Sequence, residues 1–166
     1  ALDKDPPPAA LAAVIAGGVL ITFCAWWLYF SRENAEILTG NDVGFVWALG
    51  HYVIFASVAA FGAGLAARVE YYEHHADVSD VVSSAFVTVP VACFLAVWWF
   101  VCVRLHDASS RTMSPFLVAI VAVGALTWVP YTELWVGLVL GALLVVELFL
   151  IRDAALPGDP GVVPAD

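Results

Sequence analysis

Long runs of apolar residues, separated by short polar stretches, divide the chain into five segments. A helix of about 20 apolar residues spans the hydrocarbon core of a bilayer. The pattern therefore predicts an all-α, polytopic bundle of about five transmembrane helices. Pro130 and Glu133 separate the last two, because proline ends a helix and a carboxylate is costly in lipid. The predicted helices cover approximately residues 9–30, 43–67, 81–103, 115–129 and 134–151.

Both ends of the chain are polar and lie outside the predicted helices. Residues 1–8 include three consecutive prolines, and residues 153–166 are rich in proline and glycine. We expect the first stretch to be an extracytoplasmic segment and the second to be a disordered tail. Because the chain begins with Ala1, we also expect either that an initiator Met was removed or that the sequence is a piece of a longer protein.

The amino-acid composition supports the assignment to a membrane. Apolar residues make up 63% of the 166 residues and charged residues 13%, whereas a soluble domain has about half and a quarter. A globule of this size keeps a large surface, so it could not bury such an excess of apolar side chains. The net charge of −9 leaves no basic patch for phosphates, and we expect no nucleic-acid partner.

The basic residues predict an orientation in the plasma membrane. In a five-helix bundle, four arginines fall on one side, and two basic residues fall on the other. Basic residues accumulate on the cytoplasmic side of membrane proteins. The N-terminus is therefore predicted outside and the C-terminus in the cytoplasm. The first group is Arg32, Arg104, Arg111 and Arg152, and the second is Lys4 and Arg68.

Two ionisable residues lie inside apolar runs. His51 is in the second run with Trp47 and Phe55 at i−4 and i+4, so the three side chains share a helix face. Glu147 is near the end of the fifth run. Ionisable groups inside membranes often mark ion or proton pathways, and the two could form a pair that relays a cation. Alternatively, His51 donates one hydrogen bond to a neighbouring helix, and Glu147 reaches the interface beside Arg152.

A polar stretch between the second and third runs contains weak candidates for a metal site. Carboxylates and imidazoles at i, i+3, i+4 and i+7 can share one face of a helix, and histidine is a common ligand of zinc. No HExxH motif is present, so a solvated loop is the competing interpretation, and no resident metal is predicted. The candidates are Glu70, Glu73, His74 and Asp77.

Pairs of small residues four positions apart occur in the second and fifth runs. Such pairs allow the backbones of membrane helices to approach closely, so they predict helix packing within the chain or with a partner. The residues are Ala60 and Gly64 in the second run, and Gly137 and Gly141 in the fifth. The chain contains no nucleotide-binding loop, GxSxG elbow, haem motif or selectivity-filter sequence. We therefore predict no cofactor and no catalytic residue, and a membrane enzyme is the weakest alternative.

Three blocks of sequence resemble one known family. They are WWLYF at 26–30, SRENAE at 31–36 and FVWALGHYVIFASVAAFGAGL at 45–65. Together they are similar to the bacterial low temperature requirement protein A family, and VPVACFLAVWW at 89–99 resembles its actinobacterial members. The resemblance covers roughly residues 25–104. The motif residues that it carries over are Trp26, Trp27, Tyr29, Phe30, Gly50 and His51.

The resemblance implies a polytopic plasma-membrane protein, but no established catalytic role. The family name describes a growth phenotype in the cold rather than a reaction. Ser31 stands where members commonly have Asp, which puts any role of that acid in doubt. Family members are typically about twice as long, so the chain resembles a C-terminal half.

Two hypotheses for function follow. The first is transport of a small solute or ion along a path lined by His51 and Glu147. The second is a structural or accessory subunit that binds a partner membrane protein or lipid. The expected partners are membrane lipid and, beyond it, the missing N-terminal half, a second copy or another membrane protein. The first hypothesis predicts that His51 faces an aqueous cavity, and the second that it is packed dry beside an apolar groove.

Overall fold

Five helices make up the fold: α1 (Pro8–Phe30), α2 (Asn41–Tyr72), α3 (Asp80–Trp98), α4 (Ser110–Ala125) and α5 (Thr132–Ala155). The computed structural model describes residues 8–31, 41–73, 75, 77–104 and 110–155. Within these ranges all regular structure is helical, which confirms the all-α fold. Helix α3 continues into a π-helical segment at Trp99–Val103, and α4 continues into a 3-10 turn at Leu126–Trp128.

The lengths and the exposed surfaces of the helices suit a lipid environment. Five spans are long and apolar enough to cross a membrane: Pro8–Phe30, Gly44–Tyr72, Asp80–Val103, Arg111–Trp128 and Thr132–Asp153. Large apolar side chains are exposed around the bundle, including Phe45 on α2 and Val121 on α4. An exposed apolar surface of this extent is unfavourable in water but not in hydrocarbon. The chain is therefore a multi-pass membrane protein.

Two helices extend into polar sequence. Helix α2 continues five residues past the predicted end at 67, and α4 begins five residues before the predicted start at 115. The extension of α2 contains Arg68, which lies beyond the end of the predicted helix. Helix α5 continues to Ala155, and residues 1–7 and 156–166 lie outside the described part of the chain.

Local side chains determine where α3 and α5 begin. Ser79 precedes α3, and its Oγ accepts the Val82 backbone N–H at 3.3 Å, which satisfies one of the unpaired donors in the first turn. At the start of α5, the Thr132 hydroxyl donates to the carbonyl of Val129 at 2.7 Å. Tyr131 lies between Val129 and Thr132 in the α4–α5 turn. It has a φ of 58°, a left-handed conformation that favours glycine or asparagine.

Glycine allows two pairs of helices to pack closely. Helix α2 lies mainly on α3, and α1 lies mainly on α5. A Cβ on Gly64 would lie 2.7 Å from the backbone carbon of Phe86, and a Cβ on Gly17 would lie 2.6 Å from the backbone oxygen of Glu133. Both contacts are to backbone, so side-chain rearrangement cannot relieve them. These two glycines bring the helix axes together.

The other predicted packing residues have different surroundings. Gly137 and Gly141 both face α1, where added Cβ atoms would lie 3.0 Å from Leu20 and 3.9 Å from the Cys24 sulfur, respectively. Ala60 is exposed on the surface of α2, although Gly64 on the next turn is buried. The pair in α5 therefore lies in a helix interface within the chain, and the pair in α2 is divided between an interface and the surface.

Candidate functional site

His51 is packed among aromatic rings. Its side chain is 7% exposed, and the Nδ1–H donates to the Trp47 carbonyl one turn earlier at 2.8 Å. The indole of Trp47 lies over the imidazole with 3.8 Å between ring centroids. Tyr29 from α1 and Phe55 from α2 complete the surroundings, at centroid distances of 5.8 Å and 6.2 Å. The hydrogen bond at Nδ1 is local, so it does not require a partner on another helix.

An apolar crevice lies beside this aromatic cluster. It has a volume of about 270 Å³ and is bounded by α1, α2 and α3, and Leu140 of α5 also lines it. The crevice forms where α1 and α2 make few contacts with each other, because each packs mainly on another helix. Tyr29 and Phe55 line the crevice, and they also contact His51. His51 therefore lies behind the crevice wall and does not line it.

The two aliphatic hydroxyl groups in the crevice wall are satisfied within their own helices. Thr22 donates to the Gly18 carbonyl at 2.8 Å, and Ser57 donates to the Val53 carbonyl at 2.8 Å. A hydroxyl that bonds to the i−4 carbonyl has little need of another partner. Pro90 adds an apolar ring from α3. The crevice therefore presents almost only carbon to any occupant, although Thr22, Trp26, Tyr29 and Ser57 in its lining carry polar atoms.

A cluster of charged residues lies at the opposite end of α2. The guanidinium of Arg68 is 1% exposed and contacts acceptors from two other helices. Its Nε donates to Oε1 of Glu133 at the start of α5. Its Nη1 donates to Oδ1 of Asp80 on α3 at 2.8 Å, and its Nη2 donates to the Tyr72 hydroxyl at 2.5 Å. One side chain thus links α2, α3 and α5.

Sequence reasoning missed this cluster. Arg68 and Glu133 are 65 residues apart and were both predicted near the membrane surface rather than inside the bundle. The available signal was the spacing of Arg68 and Tyr72 at i and i+4, together with acids at the starts of the third and fifth helices. In a bundle of antiparallel neighbours, these positions fall at the same end of the molecule.

Buried hydroxyls form a layer next to the charged cluster. The Thr132 hydroxyl lies 3.2 Å from Ser84 Oγ, and the hydroxyls of Thr88 and Thr127 lie 2.8 Å apart. All four residues are buried. These contacts connect α3 to the α4–α5 turn, so this end of the bundle is held by polar interactions, whereas the crevice end is held by apolar packing.

Glu147 is fully buried in α5. Its helix packs mainly on α1, whereas the helix of His51 packs mainly on α3. Neither helix is therefore the main neighbour of the other, although Arg68 and Glu133 join them at the far end. The pairing of His51 with Glu147 stays a prediction.

The residues predicted as weak metal candidates lie in the last turn of α2 and in the segment that follows it. His74 lies outside the described residues. The neighbouring His75 is 67% exposed, with its Nδ1 3.6 Å from a Glu70 oxygen and 3.5 Å from a Glu73 oxygen. Asp77 is exposed. In the described part of the chain, no group of three or more histidine, cysteine, aspartate or glutamate side chains could hold a metal ion.

Comparison with known protein families decides the assignment. A family model of the bacterial low temperature requirement A proteins (LtrA) matches residues 1–149. The chain belongs to the LtrA family. Comparisons with curated proteins and with solved structures gave no match. The family assignment supports the membrane location, and it leaves the activity to be inferred from the molecule itself.

The α1 residues predicted from the family resemblance differ in exposure. Trp26, Trp27 and Phe30 are exposed and form a surface aromatic cluster with Phe23, with ring centroids 5.4–6.4 Å apart. Tyr29 is partly buried and contacts His51. Trp26, Tyr29 and Phe30 also line the crevice, so this segment of α1 forms both an exposed aromatic surface and one wall of the crevice.

In α2, the motif residue next to His51 is Gly50, which is buried against α3. An added Cβ would clash with the side chain of Val101. Val101 belongs to the π-helical segment that follows α3. Gly50 thus allows α2 to lie close to that segment at the level of the aromatic cluster.

Proposed function

We propose that this LtrA protein is a membrane-embedded accessory module that holds an acyl chain of a membrane lipid in the apolar crevice. The observation that carries the proposal is the crevice itself, whose surface is almost entirely carbon and whose Thr22 and Ser57 hydroxyls are bonded within their own helices. Unpaired polar groups would be needed to bind a hydrophilic solute, since desolvating such a solute without hydrogen bonds is costly. A hydrocarbon chain incurs no such cost.

The surroundings of the crevice favour a lipid chain as its occupant. It is bounded by α1, α2 and α3 of a membrane bundle, and a helix with its side chains is about 10 Å across. An extended acyl chain is thinner, and the surrounding bilayer supplies it at high concentration.

Photo-crosslinking tests this proposal. The protein is reconstituted in phospholipid vesicles containing a phospholipid with a photoreactive group on one acyl chain, and labelled peptides are identified by mass spectrometry. Labelling is expected on the segment from Ile54 to Phe61, which lines the crevice. The substitution Ala25→Phe fills the crevice from α1, and it should reduce that labelling several-fold.

Ala16→Phe is the matched control, because Ala16 is exposed on the same helix and does not line the crevice. This variant should keep wild-type labelling. Labelling that is spread evenly over lipid-facing residues and unaffected by Ala25→Phe would contradict an acyl chain in the crevice. If another protein copurified with this chain and labelling of the crevice was then lost, a protein partner would be favoured instead.

Transport of a small ion is the second candidate function. The observation that favours it is the burial of His51 and Glu147 within the spans, since buried ionisable groups in membrane helices are often functional. Proton flux into vesicles containing wild type, His51→Ala or Glu147→Gln tests this candidate. If the protein transports protons, each substitution should reduce the proton flux at least several-fold. Unchanged flux with normal expression of both variants would remove the candidate.

We also propose that the C-terminus is cytoplasmic and the N-terminus is outside the cell. The arginines at 104, 111 and 152 are exposed at one end of the bundle. Arg68 is at the other end but is buried against two carboxylates. Among the described residues, three arginines at one end against one at the other give the asymmetry on which the orientation depends.

A further inference from the structure

A second apolar groove continues the crevice along the outer face of α1. Thr22 and Trp26 line both the crevice and the groove. The lining residues of α1 recur at intervals of three or four positions, which places them on one face of the helix. They include Ile15, Gly18, Thr22, Trp26 and Phe30. The two cavities are therefore parts of one apolar surface.

The α2 side of this surface follows the same course in the opposite direction. The crevice residues Ile54, Val58 and Phe61 and the groove residue Leu65 are also three or four positions apart. Leu65 lies over Gly18, because a Cβ added to Gly18 would be 2.9 Å from the Leu65 Cδ1 atom. The crevice and the groove together form the α1–α2 seam.

The seam is longer than one leaflet of a bilayer is thick. From Phe30 to Gly18 it extends about 18 Å, at the rise of about 1.5 Å per residue of an α-helix. One leaflet supplies half of a hydrocarbon core about 30 Å thick, or about 15 Å. An acyl chain that fills the seam from Phe30 to Gly18 must therefore be long and must lie extended.

Polar side chains occur at only one end of the seam. Trp26 and Tyr29 carry an indole N–H and a phenol O–H at the end of the bundle where arginines are exposed. Tryptophan and tyrosine are typical of the level of lipid headgroups. At the other end, residues 14–19 and Leu65 have no polar side-chain atom. A lipid ester group therefore fits the first end, and a terminal methyl group fits the second.

We propose that the seam selects a long-chain lipid from the leaflet at the arginine end, with its ester group beside Trp26 and Tyr29 and its terminal methyl group at Gly18. This assignment rests on the proposed function, which places an acyl chain in the crevice but leaves its length and direction open. Gly18 determines the chain length, because a side chain there would occupy the space beneath Leu65 in which the chain ends. A short chain would fill the crevice alone.

Photo-crosslinking with lipids that are labelled at defined positions tests this proposal. The full chain is reconstituted in vesicles that contain phosphatidylglycerol with a diazirine either beside the ester or at the methyl end of a stearoyl chain. Labelling of the seam is the part that Ala25→Phe removes. The ester-end probe should label residues 26–30, and the methyl-end probe should label residues 14–19. A decanoyl chain with a methyl-end diazirine should label the segment from Ile54 to Phe61 instead.

Gly18→Leu obstructs the groove and leaves the crevice open. It should reduce the labelling of residues 14–19 by the methyl-end stearoyl probe several-fold, without changing the labelling of residues 26–30 by the ester-end probe. Gly62→Leu is the matched control, because an added Cβ there meets nothing within 4 Å and Gly62 lines neither cavity. It should keep wild-type labelling with both probes. Val19→Trp, at an exposed residue of the groove lining, provides the obstruction if Gly18→Leu does not fold.

Two results would overturn the proposal and leave an acyl chain in the crevice. One is the reversed pattern, with the ester-end probe on residues 14–19 and the methyl-end probe on residues 26–30. The other is unchanged methyl-end labelling of residues 14–19 in folded Gly18→Leu and Val19→Trp. In both cases Ala25→Phe still removes labelling. If Ala25→Phe removes no labelling from any probe, the proposed function fails, and the assignment of chain length and direction fails with it.

Discussion

At the scale of single residues, Gly62 and Gly64 lie two positions apart in α2 but have different surroundings. A Cβ at Gly64 would lie 2.7 Å from the Phe86 backbone carbon, whereas a Cβ at Gly62 would meet nothing within 4 Å. Gly64→Ala should therefore destabilise the protein by about 1–3 kcal/mol, the usual cost of overpacking, because α2 must move away from α3. Thermal unfolding in detergent, followed by circular dichroism, measures the change.

Gly62→Ala is the control for helix propensity, since it makes the same chemical change on the exposed face of the same helix. It should be neutral or stabilising by up to about 1 kcal/mol, because alanine favours a helix more than glycine does. Equal destabilisation by the two substitutions would show that the contact between Gly64 and Phe86 does not hold α2 on α3.

Some contacts between residues can be predicted from the sequence, and others cannot. The i±4 spacing of Trp47, His51 and Phe55 places the three side chains on one helix face, and both rings lie beside the imidazole. Tyr29 completes the cluster from another helix, and the spacing within α2 contains no information about it. Arg68 lies just past Ala67, where the apolar run and the predicted helix end, although α2 continues to Tyr72.

At the scale of elements, hydrophobic periodicity predicts the existence of helices better than their ends. Five apolar runs correspond to five helices, because a span must satisfy its backbone hydrogen bonds internally in lipid. Helix ends depend instead on local groups such as Ser79 and Thr132, and polar residues such as Arg68 continue a helix readily. The π-helical segment at Trp99–Val103 leaves no mark in the apolar pattern.

At the scale of the whole molecule, the sequence does not specify which helices are neighbours. Small residues in α2 and α5 predict close packing, but not that α2 packs on α3 and α5 on α1. The crevice results from that arrangement, since α1 and α2 are adjacent in sequence yet make few contacts. The crevice and the charged cluster therefore emerge only when the five helices are assembled.

The orientation of the bundle gives a prediction at this scale. A green fluorescent protein fused to the C-terminus should fluoresce, because it folds in the cytoplasm. A cysteine introduced by Asp77→Cys, in the exposed segment before α3, should react in intact cells with a maleimide that does not cross membranes. A cysteine introduced by Arg111→Cys should react only after the cells are opened. The reversed pattern of labelling would show that the N-terminus is cytoplasmic.

The position of Arg68 also has a mechanical consequence. Ion pairs fasten α2 to α5 at one end of the bundle, while dispersion forces alone act across the α1–α2 seam at the other. A displacement of α2 relative to α1 is therefore opposed less at the crevice, near His51, than at the end where Arg68 is paired. Changes in bilayer thickness or lateral pressure are expected to alter the width of the α1–α2 seam before they alter the rest of the bundle.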